Sequence, residues 1–139
     1  MKKAFVLFFI SVSFLSLSSY SQDNTIDTSG IFIGTPDLLP HFKNYQQGWN
    51  YFLIRNLDAQ LPVNNGAKPG KYEPVISFIV NEDGSLSDIE IKKDDKYKTG
   101  EEALRVMKSS PAWQPAVYHG QPVKYRFEQK FTFQVLKVL

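Results

Sequence analysis

No cysteine occurs among the 139 residues, so disulfides and thiolate metal ligands are excluded, as is a lipid-modified N-terminal cysteine. Histidine is nearly as scarce. His41 precedes a predicted helix and His119 stands beside a turn at Gly120, and a solitary loop histidine is usually solvated rather than catalytic. A zinc site without cysteine would need carboxylates that no spacing here supplies. The 8 glycines form no phosphate-cradling motif, and there is no internal repeat, low-complexity tract or proline-rich spacer. Glu101 and Glu102 resemble an acid/base pair, yet the first turn of a helix attracts such charge by itself. Asn81, Asp83 and Asp88 miss the calcium-loop spacing. The expectation is a protein that is not an enzyme, with no catalytic residues, no cofactor, no metal and no small-molecule substrate.

A long apolar run is also missing. Met1-Lys2-Lys3 followed by Ala4 to Leu17 has the charged and apolar regions of a secretory signal, and Ser19-Tyr20-Ser21 offers small residues at the cleavage-defining positions. The apolar part is shorter than the ~20 residues a membrane span needs, and serines dilute it. Residues 1–21 are therefore expected to be a cleaved signal peptide, which places the mature chain in the periplasm. Cleavage also removes charge. Taking Lys2 and Lys3 from the 16 basic residues leaves as many as the 14 acidic ones, so the mature chain is formally neutral. It lacks the basic footprint of a nucleic-acid binder, and no Lys/Arg cluster marks a membrane-surface patch. What remains is one domain, long enough to bury about two-thirds of its unfolded surface.

The patterns that are present are concentrated between Tyr72 and Val135. Val123, Tyr125, Phe127, Phe131, Phe133 and Val135 take every second position with only Gln129 breaking the set, while Lys124, Arg126, Glu128, Lys130, Thr132 and Gln134 fill the places between. Successive strand side chains point to opposite faces, so this segment predicts one long strand with a buried and a wetted face. Val75 to Val80 is apolar on both faces, as in a central strand. Asn81-Glu82-Asp83-Gly84 supplies a hairpin turn, because Asp-Gly tolerates positive φ. The returning strand alternates Ile89 and Ile91 with Asp88, Glu90 and Lys92 and reads as an edge strand.

Thr99-Gly100-Glu101-Glu102 has the form of a capping box opening a helix, whose apolar side is Ala103, Leu104, Val106 and Met107 and which Pro111 stops. Trp113 follows where it can lie over the sheet. Lys92 to Lys98 reads as a solvated connection. Upstream, Trp49, Phe52, Leu53 and Leu57 stand at helical spacings, so Tyr45 to Leu57 predicts a first helix, extending back to Asp37 if Pro40 sits in its opening turn. Residues 22–44 are expected to be a flexible lead-in, with Ile31 to Ile33 as a small edge strand, and residues 45–139 the domain. The predicted fold class is α+β: a three-stranded antiparallel sheet with two helices on one face.

The residues that carry these elements resemble a family, the C-terminal domain of TonB. Pro62 and Gly70 precede the first strand; FIVNEDGSLSDIEI is similar to that family's strand, Asp-Gly turn and strand; EEALRVMKSSPAW is similar to its helix ending in tryptophan; QPAVYHGQPVKYRFEQKFTF is similar to its final aromatic strand. The resemblance covers residues 60 to 135 and implies a periplasmic protein-binding module associated with transmembrane transport. Its implied partner is the TonB-box peptide of a TonB-dependent outer-membrane receptor, added as a strand beside the domain's last strand. Carried onto this chain, the protein-binding residues are Val123, Lys124, Tyr125, Arg126, Phe127, Glu128, Gln129, Lys130, Phe131, Thr132 and Phe133. Membrane contact would come only through partners, and no oligomeric state follows. A full TonB has an uncleaved membrane helix and a proline-rich arm, which this N-terminus does not resemble. The alternative reading is a structural, envelope-associated protein that docks on the cell wall or on another envelope protein with no transport role.

Overall fold

The apolar run around Phe78 becomes the centre of the sheet. A computed structural model of the chain describes residues 26–139. In chain order its elements are α1 (Tyr45–Asn56), α2 (Leu61–Asn64), β1 (Gly70–Tyr72), β2 (Val75–Val80), β3 (Leu86–Lys93), α3 (Thr99–Lys108), β4 (Ala116–Tyr118), β5 (Gln121–Val123), β6 (Tyr125–Lys130) and β7 (Phe133–Val135). The main sheet is antiparallel with order β3-β2-β6, flanked by the β1-β7 and β4-β5 pairs. Because both faces of β2 are covered, alternation is unnecessary there, and Ile76, Phe78 and Val80 are completely buried. No helix among the described residues is long and apolar enough to cross a membrane. The expected signal peptide lies outside these residues.

The single long strand predicted at the C-terminus is divided among β5, which takes Val123, β6 and β7, and Pro74 explains the break between the last two. Val75 pairs with Lys130 and Tyr72 pairs with Phe133, so β1 and β2 face β7 and β6 in one unbroken register. Within it Phe131 donates its amide to the Pro74 carbonyl at 3.0 Å. Proline returns no hydrogen bond, and the ladder lapses for two residues. The inward parity survives the gap, since Phe131, Phe133 and Val135 are all buried.

Both main helices lie on one face. Ala103, Val106 and Met107 of α3 and Trp49 of α1 share a core cluster with Ile76, Phe78, Val80, Trp113, Phe131 and Phe133. Trp113 is the hub, with its ring centroid 5.2 Å from Phe78, 5.6 Å from Trp49 and 5.8 Å from Phe42. On the opposite face Arg126 pairs with Asp88 and Glu90, Lys92 with Glu128, and Lys130 with Glu73.

Two local expectations are corrected. Thr99 and Glu102 do not form a capping box: the Thr99 hydroxyl donates to the Lys96 carbonyl at 2.7 Å, and the Glu102 carboxylate accepts the Asp58 amide at 2.8 Å. The α3 start is satisfied instead by Asp94, which accepts the Gly100 amide at 3.1 Å from the connection expected to be merely solvated. The lead-in expected to be flexible is held over much of its length. Leu38 exchanges backbone hydrogen bonds with Val117, and His41 does so with Gln114. Phe32, Pro36, Pro40 and Phe42 are buried, and the extended backbone there keeps α1 from reaching back to Asp37.

Candidate strand-binding edge

The outer edge of β6 has a definite polarity. In an antiparallel pair, residues alternate between those that bond to the neighbour and those whose N–H and C=O point away. Phe131 bonds to Pro74, so in the same register Gln129 bonds to Ile76, Phe127 to Phe78 and Tyr125 to Val80. Lys124, Arg126, Glu128 and Lys130 therefore turn their backbone groups outward. The outward carbonyl of Lys124 is occupied: it accepts the Phe32 amide at 2.8 Å, and Phe32 forms a parallel bridge with Tyr125. Among the described residues Glu128 and Lys130 receive no backbone partner on that side. The Lys130 carbonyl is covered by its neighbour, the Gln129 side-chain amide donating to it at 2.9 Å.

This polarity redistributes the residues predicted to bind. Val123 belongs to β5, paired with Ala116, and Lys124 is already bonded to the lead-in. Tyr125, Phe127, Phe131 and Phe133 point inward, where Phe131 and Phe133 are core. Arg126 lies beside the Phe32 bridge, and its guanidinium is held by Asp88 and Glu90. Glu128 and Lys130 form the open part, with Thr132 next in the same outward alternation.

Next to this edge the inner side is hollow. Phe127 and Gln129 line a cleft of about 290 Å³ together with His41, Tyr45, Trp49 and Trp113. A neighbouring cleft of about 490 Å³ runs along Pro36 to Leu39 and shares His41, Tyr45 and Phe127 with the first. No residue of β2 lines either one. This wall was barely legible beforehand, because Pro36 to His41 has no periodicity; its one cue was the string of apolar residues in a segment otherwise polar. His41 stacks on Tyr45 with centroids 4.1 Å apart and contacts the Leu39 carbonyl at 3.2 Å. His119 stacks on Tyr118. Neither imidazole meets a carboxylate, and no group of three metal-ligating side chains exists among the described residues.

An α+β layer whose sheet ends in edge strands, with outward backbone groups open at Glu128 of β6, is the class of small domain suited to taking an extended chain as a further strand. Residues 73–135 match the model of the family described as Gram-negative bacterial TonB protein C-terminal, and this segment belongs to that family. No curated protein matches the chain. Domains of this family are non-enzymatic binding and energy-transduction modules of the Gram-negative periplasm.

Proposed function

We propose that the chain is a periplasmic module that captures an extended segment of an outer-membrane receptor by strand addition to the free edge of β6. The observation that carries this reading is the pair of outward backbone positions at Glu128 and Lys130 beside an apolar cleft. Backbone hydrogen bonds to these positions would supply affinity, and alternate side chains of the added strand would reach toward Phe127, Gln129 and Tyr45. The family membership supports a receptor as the source of that strand.

The test is titration of the isotope-labelled protein with peptides copied from the periplasm-facing segments of receptors encoded in the same genome. Amide shifts should concentrate at Glu128, Lys130 and Thr132. Glu128→Pro, which deletes an outward donor, should weaken binding about tenfold or more while leaving the β2-β6 ladder intact. Gln129→Pro deletes an inward donor and should damage both binding and stability. Shifts confined to α1 and α3 would defeat the proposal.

A further inference from the structure

Ile26 to Gly34 builds a small structure of its own at one end of the β6 edge. The Asp27 carboxylate accepts the Ser29 amide at 2.9 Å, the Ser29 hydroxyl at 2.7 Å and the Ile31 amide at 2.8 Å. Backbone bonds from Asp27 to the Ile31 carbonyl and from Gly30 to the Asp27 carbonyl close the turn, and Gly30 takes the positive φ of 79° that it requires. Ile26 then bridges Phe32. The result is a braced hairpin that sets Phe32 against the sheet. Phe32 is 3% exposed, with its ring centroid 4.6 Å from Tyr118 and 6.4 Å from Tyr125. It stands outside the main core cluster. Past Gly34 the chain leaves the edge and pairs with β4 at Leu38, so it offers nothing to Glu128 or Lys130.

We propose that Phe32 is a register stop for the added strand, an inference that rests on the strand-addition reading above. Strand side chains repeat every two residues, so a one-residue slip inverts the faces and is strongly opposed. A slip of two residues keeps every side chain on its own face, and the apolar pattern alone cannot oppose it. A fixed obstacle on the edge does. A strand paired to Glu128 and Lys130 can continue past Thr132, but it cannot slide toward Lys124, whose carbonyl is already bonded and whose approach is filled by a buried aromatic ring. The stop thereby decides which residue of the partner faces the Phe127 cleft. Phe32 is a positioning residue here, selecting the partner by register and making no demand on its side chains.

The probe is an end-blocked nine-residue peptide of alternating valine and threonine, titrated to millimolar concentration into the full labelled chain, into Phe32→Ala and into Asp27→Ala. Phe32→Ala removes the ring from outside the main core. Asp27→Ala loosens the brace while leaving the ring in place. In the wild-type chain the Glu128 and Lys130 amides should shift, while the Phe32 amide keeps its hydrogen-exchange protection in the bound state. In Phe32→Ala the shifts should spread to Lys124 and Arg126, with doubled resonances reporting more than one register, and Asp27→Ala should show the same spread more weakly. The stop is overturned if peptide binding accelerates Phe32 amide exchange by about tenfold or more. It is equally overturned if Phe32→Ala gives the wild-type footprint. An absence of shifts along β6 in all three chains would instead remove strand addition itself, and the stop with it.

Discussion

At position 84 the chain has room for a hydrogen atom and no more. Gly84 has a φ of 83°, and a Cβ there would lie 2.1 Å from the Trp113 carbonyl oxygen. Its own carbonyl accepts the Trp113 amide at 2.8 Å, so the hairpin turn and the segment after α3 are held in backbone contact. Asp83 braces the same turn, and hydrogen bonds from the Ser85 hydroxyl and amide keep its carboxyl below the usual carboxylate range. Gly84→Ala must carry both a left-handed backbone and a displaced Trp113, and should cost about 2–3 kcal/mol. Urea unfolding followed by tryptophan emission measures this, and a cost near zero would mean that the close approach relaxes freely. The Asp-Gly pair announced the turn. The tryptophan backbone that makes glycine necessary sits 29 residues away, and no local pattern could disclose it.

Between elements, Glu102 holds the loop that follows α1 instead of capping its own helix. Its carboxylate is 6% exposed and is bonded to Arg105 at 2.6 Å and to the amide of Asp58, while Arg105 also donates to the Asn56 carbonyl at 2.6 Å. The C-terminal end of α1 is thus tied to the opening of α3. The Arg105 guanidinium, aided by the Asp58 amide, lowers the Glu102 carboxyl from its ordinary value near 4.5 despite partial burial. A depressed folded value stabilises the protein above the unfolded value and is lost as pH falls through the folded one. Glu102→Gln should therefore cost about 1–2 kcal/mol at neutral pH. The deficit should shrink below pH 4.5 as the wild-type group is protonated, and chemical denaturation across pH 2 to 7 measures it. Spacing alone made Thr99 and Glu102 look like a capping box, because that motif is defined within one helix. The competing acceptor, Asp94, and the competing donor, Asp58, come from loops. Strand order and inward parity were legible because burial imposes a period of two, whereas the break at Pro74 was not, since it depends on which strand faces the proline.

Across the whole molecule one hydrophobic cluster, aromatic at its centre, joins both main helices to the sheet. Trp49, from the first helix, reaches Phe131 at 5.5 Å and Trp113 at 5.6 Å, so neither layer has a core of its own. Far-ultraviolet and tryptophan signals should therefore report one coincident unfolding transition, and Trp49→Ala should lower stability by about 3–5 kcal/mol in both probes alike. Separate transitions would show that α1 and the lead-in unfold by themselves. The candidate edge was legible as a strand, yet its usable part was set by Phe32 and by the Pro36 to His41 wall, from a segment in which Ile31 to Ile33 read as a small edge strand and the rest showed no period.

The charged face of the sheet has a kinetic consequence. Arg126 and Lys92 meet acidic partners across β2, and Lys130 meets Glu73, so their fields close locally. Little potential extends into solvent to guide a diffusing molecule. A partner arriving at the edge would find it by unsteered collision, at about 10⁵–10⁶ M⁻¹s⁻¹, and changes of ionic strength in the surroundings would leave that encounter rate almost unchanged.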